Sequence, residues 1–176
     1  MRPAILIDVD EVLNPSFRCN PPYCRCHPHW IRAFAYARDG QKLKLILNPA
    51  HGPALLQLAA DTGAELAWCT SWEDQANDDI GPRIGLPRLP VVPYPPRPKT
   101  GPGSVLAVGA WKARHAVAWA ARRPFAWFED EPDAGPECFR LLGAAPHLVI
   151  PVDRRTGLTV GHMNEAWDWL SELTRA

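Results

Sequence analysis

Ile5-Leu6-Ile7-Asp8-Val9-Asp10-Glu11-Val12-Leu13-Asn14-Pro15 is the stretch on which the reading of this chain turns. A short apolar run, of the kind that forms a buried strand, ends abruptly in two carboxylates one residue apart. Extended backbone sends successive side chains to opposite faces, but where the strand breaks into a turn Asp8 and Asp10 can converge on one site. Asn14-Pro15 supplies turn chemistry immediately afterwards. A parallel strand that opens an α/β domain delivers its C-terminal end to the ligand crevice, where paired acids suit phosphoryl chemistry: one attacks phosphorus and the other handles the proton. The competing reading is an acidic loop after a core strand, and Asp-x-Asp alone does not separate the two.

Outward from that strand the chain alternates. Residues 15–28 hold four prolines and three cysteines and exclude regular helix. His29–Ala37 and Lys42–Leu47 flank Arg38-Asp39-Gly40-Gln41, an Asp-Gly turn between two strand-like runs that predicts a hairpin. A helix is expected from Asn48-Pro49 to about Asp61, with Leu55, Leu56, Leu58 and Ala59 as its apolar face and Thr62-Gly63 as its end. A strand over 63–72, a short helix over 73–80 stopped by Gly81-Pro82, and an edge strand near Leu89–Pro93 follow. Pro95–Gly103 reads as a mobile loop. Helix 111–121, strand 125–129, helix 135–143, strand 147–152 and a helix from about His162 to Leu173 complete the pattern. Alternating strands and helices predict a parallel sheet with helices on both faces.

At 176 residues this is one domain, 1–176, with a small insert at about 15–47, long enough to bury a core without disulfides. Nineteen basic residues balance nineteen acidic ones, so no broad polyanion-binding surface is expected, and long nucleic acid is disfavoured as a partner. The apolar run after Met1-Arg2-Pro3 is too short for a signal peptide and no stretch approaches membrane-spanning length. Five cysteines, an odd number, fit a reducing cytoplasm. Of the eight tryptophans, Trp68, Trp119 and Trp127 are expected in the core, and Trp72 at a substrate mouth.

Asp8-Val9-Asp10 followed by Val12-Leu13-Asn14 resembles the first motif of the haloacid dehalogenase (HAD) superfamily, and three later segments resemble the others in order. Gly63–Trp72, a strand ending in Cys69-Thr70-Ser71, is similar to motif II. Trp111–Ala121, a helix with Lys112 in its first turn, is similar to motif III. Arg123–Asp133, a strand ending in Glu129-Asp130, is similar to motif IV. The resemblance spans roughly residues 4 to 152. It implies a three-layer, Rossmann-like α/β fold in which the hairpin is a small β-hairpin cap or flap over the site. It also implies a Mg²⁺-dependent phosphatase. Asp8 would be the nucleophile that forms an aspartyl-phosphate, Asp10 the general acid and then base, Thr70 a hydrogen-bond donor to the phosphoryl group with Ser71 as its alternative, and Lys112 the counter-charge. The metal ligands would be the Asp8 carboxylate, the Asp10 backbone carbonyl and the Asp130 carboxylate, with Glu129 and Asp133 as alternatives to Asp130. The family commonly carries Gly where this chain has Glu11, which adds negative charge at the entrance.

Cys19, Cys24, Cys26, His27 and His29 carry zinc-ligand chemistry, but the spacing C-x4-C-x-C-H-x-H matches no usual knuckle, so structural Zn²⁺ and reduced loop cysteines both stand. His51, at the start of a helix, could meet an anion or simply cap the surface. Asn48-Pro49-Ala50-His51-Gly52 and Trp68-Cys69-Thr70-Ser71-Trp72 are similar to segments of compact bacterial HAD domains, some related to those of RNA-repair proteins. The expected substrate is therefore a small phosphorylated molecule, with a nucleotide or an RNA end as the specific version. A non-catalytic binding module on the same fold is the reading from another class.

Overall fold

A computed structural model describes residues 1–16, 29–36, 40–95 and 107–175. The Pro95–Gly103 loop, save its first residue, and all of the Cys/His cluster except His29 lie outside the described residues. Four parallel strands form the central sheet: β1 (Ala4–Ile7), β4 (Glu65–Trp68), β5 (Phe125–Glu129) and β6 (His147–Pro151), in the order β4-β1-β5-β6. Two antiparallel strands, β2 (Ile31–Tyr36) and β3 (Lys42–Leu47), pair with Phe34 opposite Lys44. The helices are α1 (His51–Thr62), α2 (Gln75–Asp79), α3 (Gly81–Ile84), α4 (Val108–Ala120), α5 (Ala134–Leu142) and α6 (Val160–Arg175). None is long and apolar enough to cross a membrane among the described residues.

Strand alternation explains the layers. Ile5 and Ile7 point to one face, where they join Leu55 and Leu58 of α1 and Ala166 and Leu170 of α6. Ala4 and Leu6 point to the other, against Ala113 and Ala116 of α4 and Ala134 and Cys138 of α5. All four β1 side chains are fully buried, which makes β1 the centre of the sheet. Burying each of Ile5, Leu6 and Ile7 contributes about 1.5–3 kcal/mol. The β2–β3 pair is fastened to this core, with Ala35, Leu45 and Leu47 packed into the first cluster. The Gln75 amide donates to the Tyr36 carbonyl (2.6 Å), Arg83 to the Phe34 carbonyl (3.2 Å), and the Ile46 N–H to Asn14 Oδ1 (2.8 Å).

Several local expectations are corrected. Leu56 lies on the outer side of α1 and is exposed, because the inner stripe is taken by Leu55 and Leu58. Gly81-Pro82 does not stop the chain but starts α3, with proline in the first turn where its missing N–H costs nothing. The 89–93 segment contributes a single parallel bridge, Trp68 with Val91, rather than a strand. Trp68 and Trp127 are core, but Trp119 is partly exposed beneath the Arg123 guanidinium, 4.4 Å from the ring. Gly52 has a packing reason: a Cβ there would collide with the Ile84 carbonyl, so glycine lets α1 and α3 touch.

Candidate active site

Parallel strands end on the same edge of a sheet, and the register fixes who meets there. Ile7 is level with Trp68 on one side and Phe128 on the other, so Asp8 emerges between the ends of β4 and β5. Its N–H donates to the Phe128 carbonyl (3.3 Å), and the Cys69 N–H donates to the Ile7 carbonyl (2.9 Å). Asp8, Thr70 and Glu129 therefore share one edge because three apolar runs end in register.

Lys112 reaches the same point from α4. The helix begins at Val108, three residues earlier than the apolar pattern predicts, so Lys112 lies in its second turn and not its first. Gly109 makes this approach feasible, since a Cβ there would sit 2.8 Å from the Ala134 nitrogen and from Glu131 Cβ. The Ala110 N–H donates to Asp133 Oδ2 (2.6 Å), tying the helix start to the turn after β5. Asp133 thus holds α4 in place. One turn on, the Lys112 ammonium lies 2.8 Å from Asp8 Oδ2 and also ion-pairs with Glu129, all three side chains being buried.

The electrostatics follow from that burial. Desolvation alone would favour the neutral amine, but the Asp8 and Glu129 carboxylates outweigh it and hold Lys112 above the ordinary lysine range. Burial, and then the Asp8 charge, push the Glu129 carboxyl well above its usual range. Its Oε1 accepts from the Glu131 N–H (3.2 Å). Asp130 is raised by the same two causes, and Arg154 Nη2 opposes them by donating to its Oδ2 at 3.1 Å. One oxygen from each of Asp8, Glu129 and Asp130 lies within 4.8 Å of the others, an all-oxygen acidic donor set of the kind that hard divalent cations take. Three carboxylates against Lys112 and Arg154 leave one excess negative charge.

Asp10 opens onto the cleft with protein packed around its carboxyl. That packing and the Asp8 charge raise its pKa, against two donors that lower it, the Trp72 indole (2.9 Å to Oδ2) and the Asn14 amide. Asn14 therefore serves two partners, since its Oδ1 also receives the Ile46 N–H. Glu11 takes the left-handed conformation (φ 62°), a region that favours glycine. Its strain of roughly 1–2 kcal/mol is offset by the Ser16 N–H (3.0 Å) and hydroxyl (2.7 Å), both donated to the Glu11 carboxylate.

Of the two hydroxyls that follow β4, Thr70 is fully buried, its Oγ1 accepting a long bond from the Trp72 N–H (3.4 Å), whereas Ser71 is exposed and borders the cleft. A cavity of about 320 Å³ is bounded by Asp8, Asp10, Ser71, Lys112, Asp130 and Arg154. Compared with protein-family models, curated proteins and solved structures, the chain matches none.

Other groups fall away from the site. His51 is neither an anion contact nor a surface cap: it is buried with its ring edge-on to Trp30 (centroids 5.4 Å apart), and burial lowers its pKa to about 4 although it donates to the Leu158 carbonyl. Cys69 is buried against the Tyr94 hydroxyl (2.9 Å), and burial pushes its thiol up, which removes it as a nucleophile. Arg154 was not foreseen. It follows β6, and the rule that parallel strands deliver functional loops at their C-terminal ends was the signal that could have found it.

Proposed function

We propose that the chain is a magnesium-dependent phosphomonoester hydrolase of HAD type, working through an aspartyl-phosphate on Asp8. The observation that carries this reading is the buried Lys112 ammonium 2.8 Å from Asp8, at a strand end that also gathers Asp10, Glu129 and Asp130. An Asp8 oxygen attacks phosphorus in line, the bond to the ester oxygen breaks, and Asp10 gives its proton to that departing oxygen. Water then attacks the aspartyl-phosphate while Asp10 takes a proton back, releasing inorganic phosphate and restoring Asp8. The raised pKa of Asp10 favours the protonated form that the first step needs. Lys112 pairs with Asp8, the attacking group, and balances charge on the phosphoryl oxygens. The Thr70 or Ser71 hydroxyl would donate to one of those oxygens.

Asp8, the Asp10 carbonyl and Asp130 would hold Mg²⁺, with Glu129 left as the counter-ion of Lys112. The bound cation would supply charge neutralisation between acids and phosphate. The antiparallel β2–β3 pair would act as a small cap beside Asp10, anchored through Asn14 and Gln75. A non-catalytic module has less support, since Asp8, Asp10 and Lys112 are all present and Asp8 and Lys112 are in contact. The test is phosphate release from phenyl phosphate with Mg²⁺ by the purified chain and by Asp8→Asn. Turnover that Asp8→Asn abolishes supports the reading, and equal turnover by both, or none by the parent chain across a panel of phosphomonoesters, overturns it.

A further inference from the structure

Three cavities meet at Asp10, and two of them also share Ser71; the third, of about 320 Å³, is lined by Glu11, Ser16 and Lys44. The first, described above, holds Asp8, Lys112, Asp130 and Arg154. The second, a cleft of about 360 Å³ under β3, is bounded by Asp10, Asn14, Leu43, Lys44, Ser71 and Trp72. Asp10 and Ser71 are common to both. If Asp10 protonates the departing oxygen, the bond from phosphorus to that oxygen must cross Asp10. With the phosphoryl group beside Asp8 and Lys112, the rest of the substrate then lies in the second cleft, which shares Ser71 with the first, rather than in the third, which Glu11 lines and which has no aromatic wall.

The lining of that cleft defines what fits. Leu43 and the Trp72 indole give it apolar wall. Lys44 is exposed, and among the described residues it makes no ion pair or hydrogen bond. The other cations nearby are committed: Lys112 to Asp8 and Glu129, Arg154 to Asp130, and Lys42 to the face of Phe34, 4.0 Å from its centroid. An uncommitted ammonium beside an acid-rich mouth attracts an anion, and Lys44 stands on the far side of Asp10 from the phosphoryl chamber.

We propose that the β3 cleft is the leaving-group subsite and that Lys44 reads a second anionic group on it. The substrate class is a phosphomonoester whose alcohol or phenol carries a flat or apolar body and a second negative charge, such as a carboxylate or another phosphate. This rests on the phosphatase reading above and adds the side of the molecule that it leaves open.

Phenyl phosphate and 4-carboxyphenyl phosphate form a matched pair that differs by one remote anion. The readout is the ratio of their kcat/KM values in the parent chain, Lys44→Ala and Lys44→Glu, with circular dichroism confirming that each variant is folded. Taking the ratio within each protein cancels the intrinsic difference between the two phenols. The expected result is that Lys44→Ala lowers the preference for the carboxylated ester about three- to fivefold, the scale of one solvent-exposed ion pair, and that Lys44→Glu lowers it further. The loss should shrink in high salt. An unchanged ratio in both variants, with both esters turned over, overturns the Lys44 assignment and leaves the phosphatase reading intact. Absence of turnover of both esters by the parent chain overturns the subsite assignment, and absence across the wider panel of phosphomonoesters overturns the phosphatase reading as well.

Discussion

Lys112→Met tests the buried centre most directly, because methionine keeps most of the volume and removes only the charge. In the parent chain one ammonium serves two carboxylates, at 2.8 Å from Asp8 and in contact with Glu129, and the three side chains are between 0% and 6% exposed. Removing one partner of a buried ion pair costs about 3–5 kcal/mol, since the remaining charge is left desolvated. At roughly 2–4 °C per kcal/mol for a chain of this size, the melting temperature should fall by about 6–20 °C near neutral pH. The pH dependence has a definite sign. Glu129 has a folded-state pKa above its ordinary value of about 4.5, and losing Lys112 raises it further. Below that ordinary value the carboxyl is protonated in both states and the penalty is small. As pH rises, the unfolded chain ionises first in both proteins, so the deficit of the variant opens only above the raised folded-state pKa of Glu129 in the parent chain, where the parent ionises beside Lys112 and the variant does not. Urea melts at pH 4 and pH 8 in chelator, beside phosphate-release assays at neutral pH, provide the measurement. Turnover should fall roughly 10²–10³-fold. Adding Glu129→Gln should restore part of the stability and none of the rate. Equal stability of Lys112→Met and the parent chain at both pH values would refute the buried ion-pair network.

Asp8→Asn should abolish turnover while the melting temperature shows the chain still folded, measured by phosphate release and thermal unfolding. Removing divalent cations with a chelator should stop turnover, and adding Mg²⁺ should restore it; undiminished rates after verified metal removal would sink the metal assignment. Trp72→Phe removes a donor that favours ionised Asp10, so the pKa of Asp10 should rise and the basic limb of the kcat profile should move to higher pH. Gly109→Ala should lower stability by about 1–3 kcal/mol, because its Cβ would press on the turn at Ala134 and Glu131, and should cut turnover by displacing Lys112.

The strands were legible because each is a compact apolar run ended by a polar or turn residue. Ala4–Ile7, Phe125–Glu129 and the β2–β3 pair lie where alternation and turn chemistry put them. Helix starts were less legible. Val108-Gly109-Ala110 reads as a weak helix former in isolation, and only contact with the turn after β5, invisible along the chain, stabilises it there. Solvent-facing Leu56 and partly exposed Trp119 show the same limit, since hydrophobicity does not say which side of a helix finds a partner. At the site, Asp8 and Lys112 could be picked out from their places at a strand end and a helix start. Arg154 and Lys44 could not, because each gains its meaning from an acid more than twenty residues away.

Charge distribution links these observations. The carboxyl-terminal edge of the sheet collects acids that water would keep apart, and Lys112 is held between two of them at the base while Arg154 covers a third from the rim. An anionic substrate approaching that edge meets net negative charge unless a cation is already there or enters with it, so on the proposed reading phosphate binds tightly only together with the metal. Lys44 stands outside that balance, across Asp10. A second anion on the substrate would therefore gain attraction without competing for the charges that the phosphoryl group needs. Selectivity and chemistry would then rest on different cations, which allows the first to change by substitution on β3 while Asp8, Asp10 and Lys112 stay as they are.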